Sequence, residues 1–132
     1  MLGVLKFLKG VSTFYVATVE EGTQPRVRPF GAITEFEGKL YLTTNNTKPV
    51  YKQILKNPKI EICGMDADGT WLRVEATAVA DHRREARVRA MEDNPVLKTM
   101  YDVDDGIFEV LYIKDATATY YSFNGEPKIV KF

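Results

Sequence analysis

The sequence predicts a mainly β fold: an antiparallel barrel, closed or partly open, of six strands with two to three short helices set into it. Three observations carry that expectation. Runs rich in β-branched and aromatic residues recur along the chain. Turn residues separate them at spacings that suit hairpins. Helical spacing of apolar residues is confined to short stretches, so helices can plug or flank a sheet but cannot build a bundle.

Each element has its own local warrant. Leu2, Leu5, Phe7 and Leu8, interleaved with Lys6 and Lys9, predict a short amphipathic helix closed by Gly10. Residues 12–19 (STFYVATV) predict a first strand, and EEGTQ turns the chain with Gly22 free to take positive φ. A second strand is expected over residues 24–36. Pro25 and Pro29 cannot donate to a ladder, which puts part of that strand at an edge or a bulge. The Glu37-Gly38 turn leads to a third strand, KLYLTT. Asn45, Asn46 and Thr47 are cap-type residues, Pro49 suits a first helical position, and Asn57-Pro58 ends the helix. Its expected apolar stripe is Tyr51, Ile54 and Leu55. Residues 59–65 and 70–80 read as fourth and fifth strands; the fifth alternates Leu72, Val74 and Ala76 against Trp71, Arg73 and Glu75. Asp81 is placed to cap a helix that runs to Asp93 and is broken by Asn94-Pro95. A short helical turn to Tyr101 precedes a sixth strand over residues 107–122, and residues 127–132 leave room for a short last one.

Composition narrows the function. The chain carries 18 Lys and Arg against 18 Asp and Glu, so it lacks the broad positive footprint of a non-specific nucleic-acid binder. Cys63 is the only cysteine and His82 the only histidine, which excludes an internal disulfide and a His/Cys metal cluster. A Ser-His-Asp triad would have to draw on His82 at a helix start, and no GxGxxG or P-loop is present. No apolar run approaches the ~20 residues that span a bilayer. The opening MLGVLKFLKG is too short and too interrupted by lysine for a signal peptide. The expectation is one domain over residues 1–132, cytoplasmic, with neither membrane nor nucleic acid as partner. Asp102, Asp104 and Asp105 read as turn residues and RREARVR (83–89), with Glu85 and Arg89 one turn apart, as a solvated helix face. Cys63 is expected to be buried and His82 exposed. Trp71, Tyr120, Tyr121 and Phe123 are expected in the core or a subunit interface.

Two segments bear on anion binding. In TTNNTKPVYK a strand runs through a polar loop into a helix N-terminus, whose free N–H groups and dipole attract phosphate. Thr47 and Lys48 stand at that end and Lys52 lies one turn on. In PRVRPFG, Arg26 and Arg28 share one strand face, an arrangement that suits phosphate oxygens, and Gly31 permits close approach to the backbone. The same residues also fit a capped surface helix with solvated lysines and an exposed strand paired with acids.

The order of these motifs resembles the pyridoxamine 5'-phosphate oxidase-like family of FMN-binding split barrels. The likeness spans residues 12–80, with TKPVYKQILKNP after LYLTT its most specific part. The ending SFNGEPKIVKF is similar to the small stand-alone, nitroimidazole-resistance-like members. The resemblance implies a split barrel that binds FMN at the two-fold interface of a homodimer. It also implies an oxidoreductase that draws on NADH or NADPH to reduce a small organic substrate. The family includes heme-handling and deazaflavin-using members, so a flavin- or heme-binding protein without turnover is the alternative. By position, Arg28 matches the arginine at the flavin phosphate or ribityl region, and Pro29, Phe30 and Gly31 follow along the isoalloxazine edge. Thr43 and Thr44 match the strand-end pair near the ring's polar edge or the ribityl chain. Thr47, Lys48 and Lys52 match the helix-start anion site. Trp71, Tyr120 or Tyr121 of a second subunit would cover the ring. No catalytic residue is implied. The vitamin oxidase itself has a Ser-Arg-Lys-rich helix start and carboxy-terminal Trp and Arg residues for its substrate. Here the only tryptophan is Trp71 and no arginine follows Arg89, so pyridoxamine phosphate is not the expected substrate.

Overall fold

Strand parity sets the architecture. In the computed structural model, which describes residues 1–132, eight strands form one antiparallel sheet. They are β1 (Phe14–Val19), β2 (Pro25–Phe30), β3 (Ile33–Phe36), β4 (Lys39–Asn45), β5 (Lys59–Met65), β6 (Trp71–Asp81), β7 (Phe108–Tyr121) and β8 (Lys128–Lys131). Three helices accompany them, α1 (Leu2–Val11), α2 (Pro49–Lys56) and α3 (Arg84–Asp93), with a 3₁₀ turn at Pro95–Thr99. The hydrogen-bonded order is β2-β1-β5-β6-β7-β4-β3, and β8 adds to β7. No helix is long and apolar enough to cross a membrane.

The expected second strand over residues 24–36 is in fact two. β2 pairs with β1 and β3 with β4, at opposite ends of the sheet order, yet only Gly31 and Ala32 lie between them. Three residue steps reach about 10 Å at most. Seven strands laid flat would hold the ends of the path about 29 Å apart. The sheet has therefore curled until β2 and β3 approach across Gly31-Ala32 with no ladder between them, which makes it a split barrel.

Inward residues fill the barrel. Phe14 and Val16 of β1, Ile60 and Ile62 of β5, Leu72 and Val74 of β6, and Leu111 and Ile113 of β7 belong to one buried cluster. Val4 and Leu8 of α1 pack on it, over Gly64, where an added Cβ would meet Val11 Cγ2 at 3.3 Å. Val50, Tyr51 and Ile54 of α2 pack on it too. A second cluster lies outside the barrel, where Ala86, Ala90 and Met91 of α3 and Leu97 meet Tyr41, Phe108 and Val110. A polar joint ties α3 to the sheet. Tyr41 Oη donates to Asp81 Oδ2 at 2.7 Å, and Arg83 donates to Asp81 Oδ2 at 3.0 Å and to Glu37 Oε2 at 3.1 Å. Burial alone would raise the Asp81 pKa; the bonds from Arg83 and Tyr41 outweigh it and hold the carboxyl at about 2. Burial, then the Asp81 carboxylate, pushes Tyr41 up to about 12.

Several local expectations are corrected. The first helix runs through Gly10, and Ser12, at φ 66°, takes the left-handed position that ends it. On α2, Leu55 is 59% exposed, and Val50 and Gln53 share the buried face with Tyr51 and Ile54. The N-cap is Lys48, without a side-chain cap, while Asn45 Oδ1 accepts from the Thr47 N–H and hydroxyl. Asp81 ends β6 rather than capping α3; its Oδ1 accepts from the Arg83 N–H. Arg89 pairs with Asp93, not Glu85. Cys63 is exposed, because inward Ile62 and Gly64 turn it to the outer face between Tyr15 and Arg73. That outer face also carries Trp71, stacked on Tyr121 at 5.1 Å, with Phe123 edge-on at 6.0 Å.

Candidate functional site

One cleft of about 240 Å³ opens where the barrel is split. Its wall comes from the chain crossing between β2 and β3 (Arg28, Pro29, Phe30, Gly31, Ala32), the end of β4 (Thr43, Thr44) and the start of α2 (Lys48, Val50). Val96 and Leu97 of the 3₁₀ turn, with Met100 and Tyr101 at its exit, close the fourth side. Asn45 Nδ2 donates to Tyr101 Oη at 2.7 Å and so ties that side to the loop before α2.

The lining includes two cations and no carboxylate. Arg28 is half-buried, and every partner it has is neutral. Its Nη1 donates to Thr18 Oγ1 at 2.7 Å and to the Val16 carbonyl at 3.3 Å, and its Nη2 donates to Gln53 Oε1 at 2.7 Å. Burial, followed by the charge of Arg26, pulls the Arg28 pKa down, as expected for a guanidinium that no acid compensates. Lys48 takes part in no ion pair. It precedes Pro49 at the N-terminus of α2, so its charge adds to the positive end of the helix dipole.

Two further observations suit a ligand. Thr44 Oγ1 is buried and has no hydrogen-bond partner within the chain, an arrangement that costs about 1–3 kcal/mol unless a donor or acceptor arrives. Gly31 does not adopt a left-handed φ, and a Cβ there would meet nothing nearer than the Ser12 carbonyl at 3.8 Å. The chain itself does not require glycine at that point, and its missing side chain leaves the cleft wall bare. Apolar Phe30, Val50, Leu97 and Met100 offer a surface for a flat ring. An anionic tail beside Arg28 and Lys48, with a ring against the apolar side, fits this donor set.

Seven of the nine residues expected to bind cofactor thus line one cleft: Arg28, Pro29, Phe30, Gly31, Thr43, Thr44 and Lys48. The other two do not. The Thr47 hydroxyl donates to Asn45 Oδ1 at 2.6 Å and shapes the loop. Lys52 faces a different hollow of about 500 Å³, lined by Glu20, Glu21, Lys56 and Asn57 among others. That hollow is larger, but Glu20 and Glu21 are part of its lining, Lys56 is paired with Glu21, and a single apolar residue lines it. Arg26 does not join Arg28 in a fork; it is paired with Glu20 at 2.6 Å.

Sequence reasoning misses Thr18, Gln53 and the apolar side of the cleft. Thr18 falls at an inward position after Phe14 and Val16, and Gln53 falls on the buried face of α2, so a polar residue in each of two apolar stripes is the signal that points to them. His82 is exposed as expected, with its side chain 72% accessible, and stands outside the cleft. Arg84 is paired with Asp104, and Arg87 donates to the Val103 and His82 carbonyls. Asp102 and Asp105 accept backbone N–H bonds within their turn.

Comparison with known proteins agrees with this geometry. The family model described as pyridoxamine 5'-phosphate oxidase matches residues 4–100. A NimC/NimA family protein from Clostridium acetobutylicum is similar over the whole chain: 51% identity, TM-score 0.96, covering 100% of this chain and 92% of that one. A protein related to general stress protein 26 of the pyridoxinephosphate oxidase family, also from Clostridium acetobutylicum, shares the fold at 18% identity and TM-score 0.77, over 99% and 93% of the two chains. HutZ, a heme storage protein from Vibrio cholerae, shares it at 13% identity and TM-score 0.67, over 85% and 87%. No curated protein matches the chain. With its eight-stranded split barrel and a family match over most of its length, the chain belongs to the pyridoxamine 5'-phosphate oxidase-like split-barrel family.

Proposed function

We propose that this protein binds FMN and acts as an oxidoreductase, using NADH or NADPH to reduce a small organic substrate, as a cytoplasmic homodimer. The observation that carries the reading is the half-buried, acid-free Arg28 beside Lys48 in a cleft with an apolar side. Arg28 and Lys48 hold the phosphate, Thr43 and Thr44 meet polar atoms of the ribityl chain or ring, and residues 29–31 run along the ring edge. FMN, when bound, supplies hydride and electron chemistry, and the chain supplies position and charge. Each charged hydrogen bond to the phosphate contributes about 1.5–3 kcal/mol.

The cleft's volume supports the homodimer. About 240 Å³ falls below the ~300–1,000 Å³ of pockets that enclose a drug-sized ligand, so one chain covers only part of FMN. Met100 at its rim is 61% exposed, and the outer-face pair Trp71 and Tyr121 are candidates for covering the ring of a second subunit's cofactor, whereas Tyr120 packs on Phe7 and the barrel core.

The reading is tested by purification. A yellow protein that releases FMN on heating, identified by mass, and whose flavin band bleaches anaerobically with NADH or NADPH supports it. A colourless protein that shows no FMN binding in titration refutes it. Flavin or heme retained without reduction by any donor indicates carriage without turnover; a histidine-ligated heme is disfavoured because His82 lies outside the cleft. Arg28→Ala combined with Lys48→Ala lowers FMN affinity at least about a hundredfold, from the loss of two or more charged bonds.

A further inference from the structure

We propose that Thr18 and Gln53 are positioning residues that aim Arg28 at a phosphate and thereby make the site discriminate phosphorylated from unphosphorylated flavin. The inference rests on the FMN reading and extends it to residues outside the cleft lining. A guanidinium has five N–H donors. In Arg28 both Nη1 donors are used, on Thr18 Oγ1 at 2.7 Å and the Val16 carbonyl at 3.3 Å, and one Nη2 donor is used on Gln53 Oε1 at 2.7 Å. What remains is the Nε–H and one Nη2–H, the lateral edge of the fork, which neither a carboxylate nor a carbonyl of the chain occupies. That edge has the spacing that grips two phosphate oxygens at once.

The support behind it is closed on itself. Thr18 Oγ1 donates to the same Gln53 Oε1 at 2.6 Å, so three groups form a ring of hydrogen bonds. Thr18 is 2% exposed and Gln53 8%, and each sits in an otherwise apolar stripe. Two buried polar side chains at such positions have a cost, and here they serve one cation. Neutral acceptors fix the guanidinium's plane while leaving its full charge for an anion; a carboxylate in place of Gln53 would neutralise it. Because Thr18 belongs to β1 and Gln53 to α2, the ring also fixes the helix whose N-terminus carries Lys48 relative to Arg28.

The experiment is fluorescence titration of the full-length protein with FMN and with riboflavin, which lacks the phosphate. The variants are Thr18→Val, Thr18→Ser, Gln53→Leu and Arg28→Gln. Thr18→Val and Gln53→Leu keep size and burial, so the fold survives, and Thr18→Ser restores the hydroxyl. The expected result is a loss of about tenfold in FMN affinity for Thr18→Val and for Gln53→Leu, with riboflavin affinity unchanged and Thr18→Ser close to wild type. Equal losses for both ligands, or no loss for either, overturn the inference, and if Arg28→Gln still weakens FMN selectively the FMN reading stands without it. If Arg28→Gln leaves FMN affinity unchanged, the reading and the inference fall together.

Discussion

Replacing Asp81 with asparagine isolates the charge at the joint between β6 and α3. The carboxylate is 8% exposed and accepts hydrogen bonds from Tyr41 and Arg83. Burial works against its ionisation, yet those bonds hold its pKa at about 2 where an ordinary aspartate lies at 3.8. A carboxyl depressed in the folded state contributes stability that is complete above the unfolded pKa and is lost as pH falls through the folded one. The gap corresponds to about 2 kcal/mol at neutral pH, of which about 1 kcal/mol is gone by about pH 3 and most of the remainder by about pH 2. Urea unfolding, followed by fluorescence of Trp71, the only tryptophan, reads this directly. Between about pH 6 and about pH 3 the wild type loses about 1 kcal/mol more than Asp81→Asn, whose amide does not titrate. Equal losses in the two proteins would show that the joint contributes no titratable stability, and the argument from its geometry would be refuted.

Other outcomes concern the cleft. Thr44→Val removes the buried hydroxyl that lacks a partner, so the ligand-free protein keeps or gains up to about 1 kcal/mol in urea unfolding while FMN affinity falls. Gly31→Val leaves the melting temperature of the ligand-free protein within a few degrees, since the chain has room for a Cβ, and lowers FMN affinity about tenfold or more by intruding on the cleft wall. Arg84→Gln with Arg87→Gln leaves FMN affinity unchanged in titration, because both side chains bond to the turn at residues 102–105 and its neighbours, away from the cleft. Sedimentation equilibrium of the purified protein gives twice the mass of the chain, and a monomer at all concentrations removes the proposed second subunit.

Much of this architecture is legible from local chemistry. The bounds of β5, the end of α3 at Asp93 and the break at Asn94-Pro95 follow from alternation and from cap and proline positions. The Glu37-Gly38 turn, at φ 51° and 79°, follows from the pairing of a turn-tolerant residue with glycine. The illegible part is global. Nothing local in PRVRPFGAITEF says that residues before Gly31 pair with β1 while those after Ala32 pair with β4 at the far end of the sheet; closure of the barrel imposes it. Hydrophobicity alone ranks Leu55 inward and Gln53 outward. Arg28 needs an acceptor under its guanidinium, and that demand reverses the order. One-turn spacing groups Lys52 with Lys48, but the two hollows divide α2 by face: Lys48 and Val50 border the cleft, whereas Pro49, Lys52, Gln53 and Lys56 border the other hollow. Parity alone pairs Arg26 with Arg28, and Glu20 across the hairpin claims Arg26.

The meeting of β2 and β3 across two residues has a mechanical consequence. Along that seam the barrel has covalent continuity but no rungs, and the cleft lies directly on it. A molecule seated there fastens two margins that the backbone leaves unlaced, so occupancy slows amide exchange along β2 and β3 more than in β6 and β7, already hemmed by neighbours on both sides.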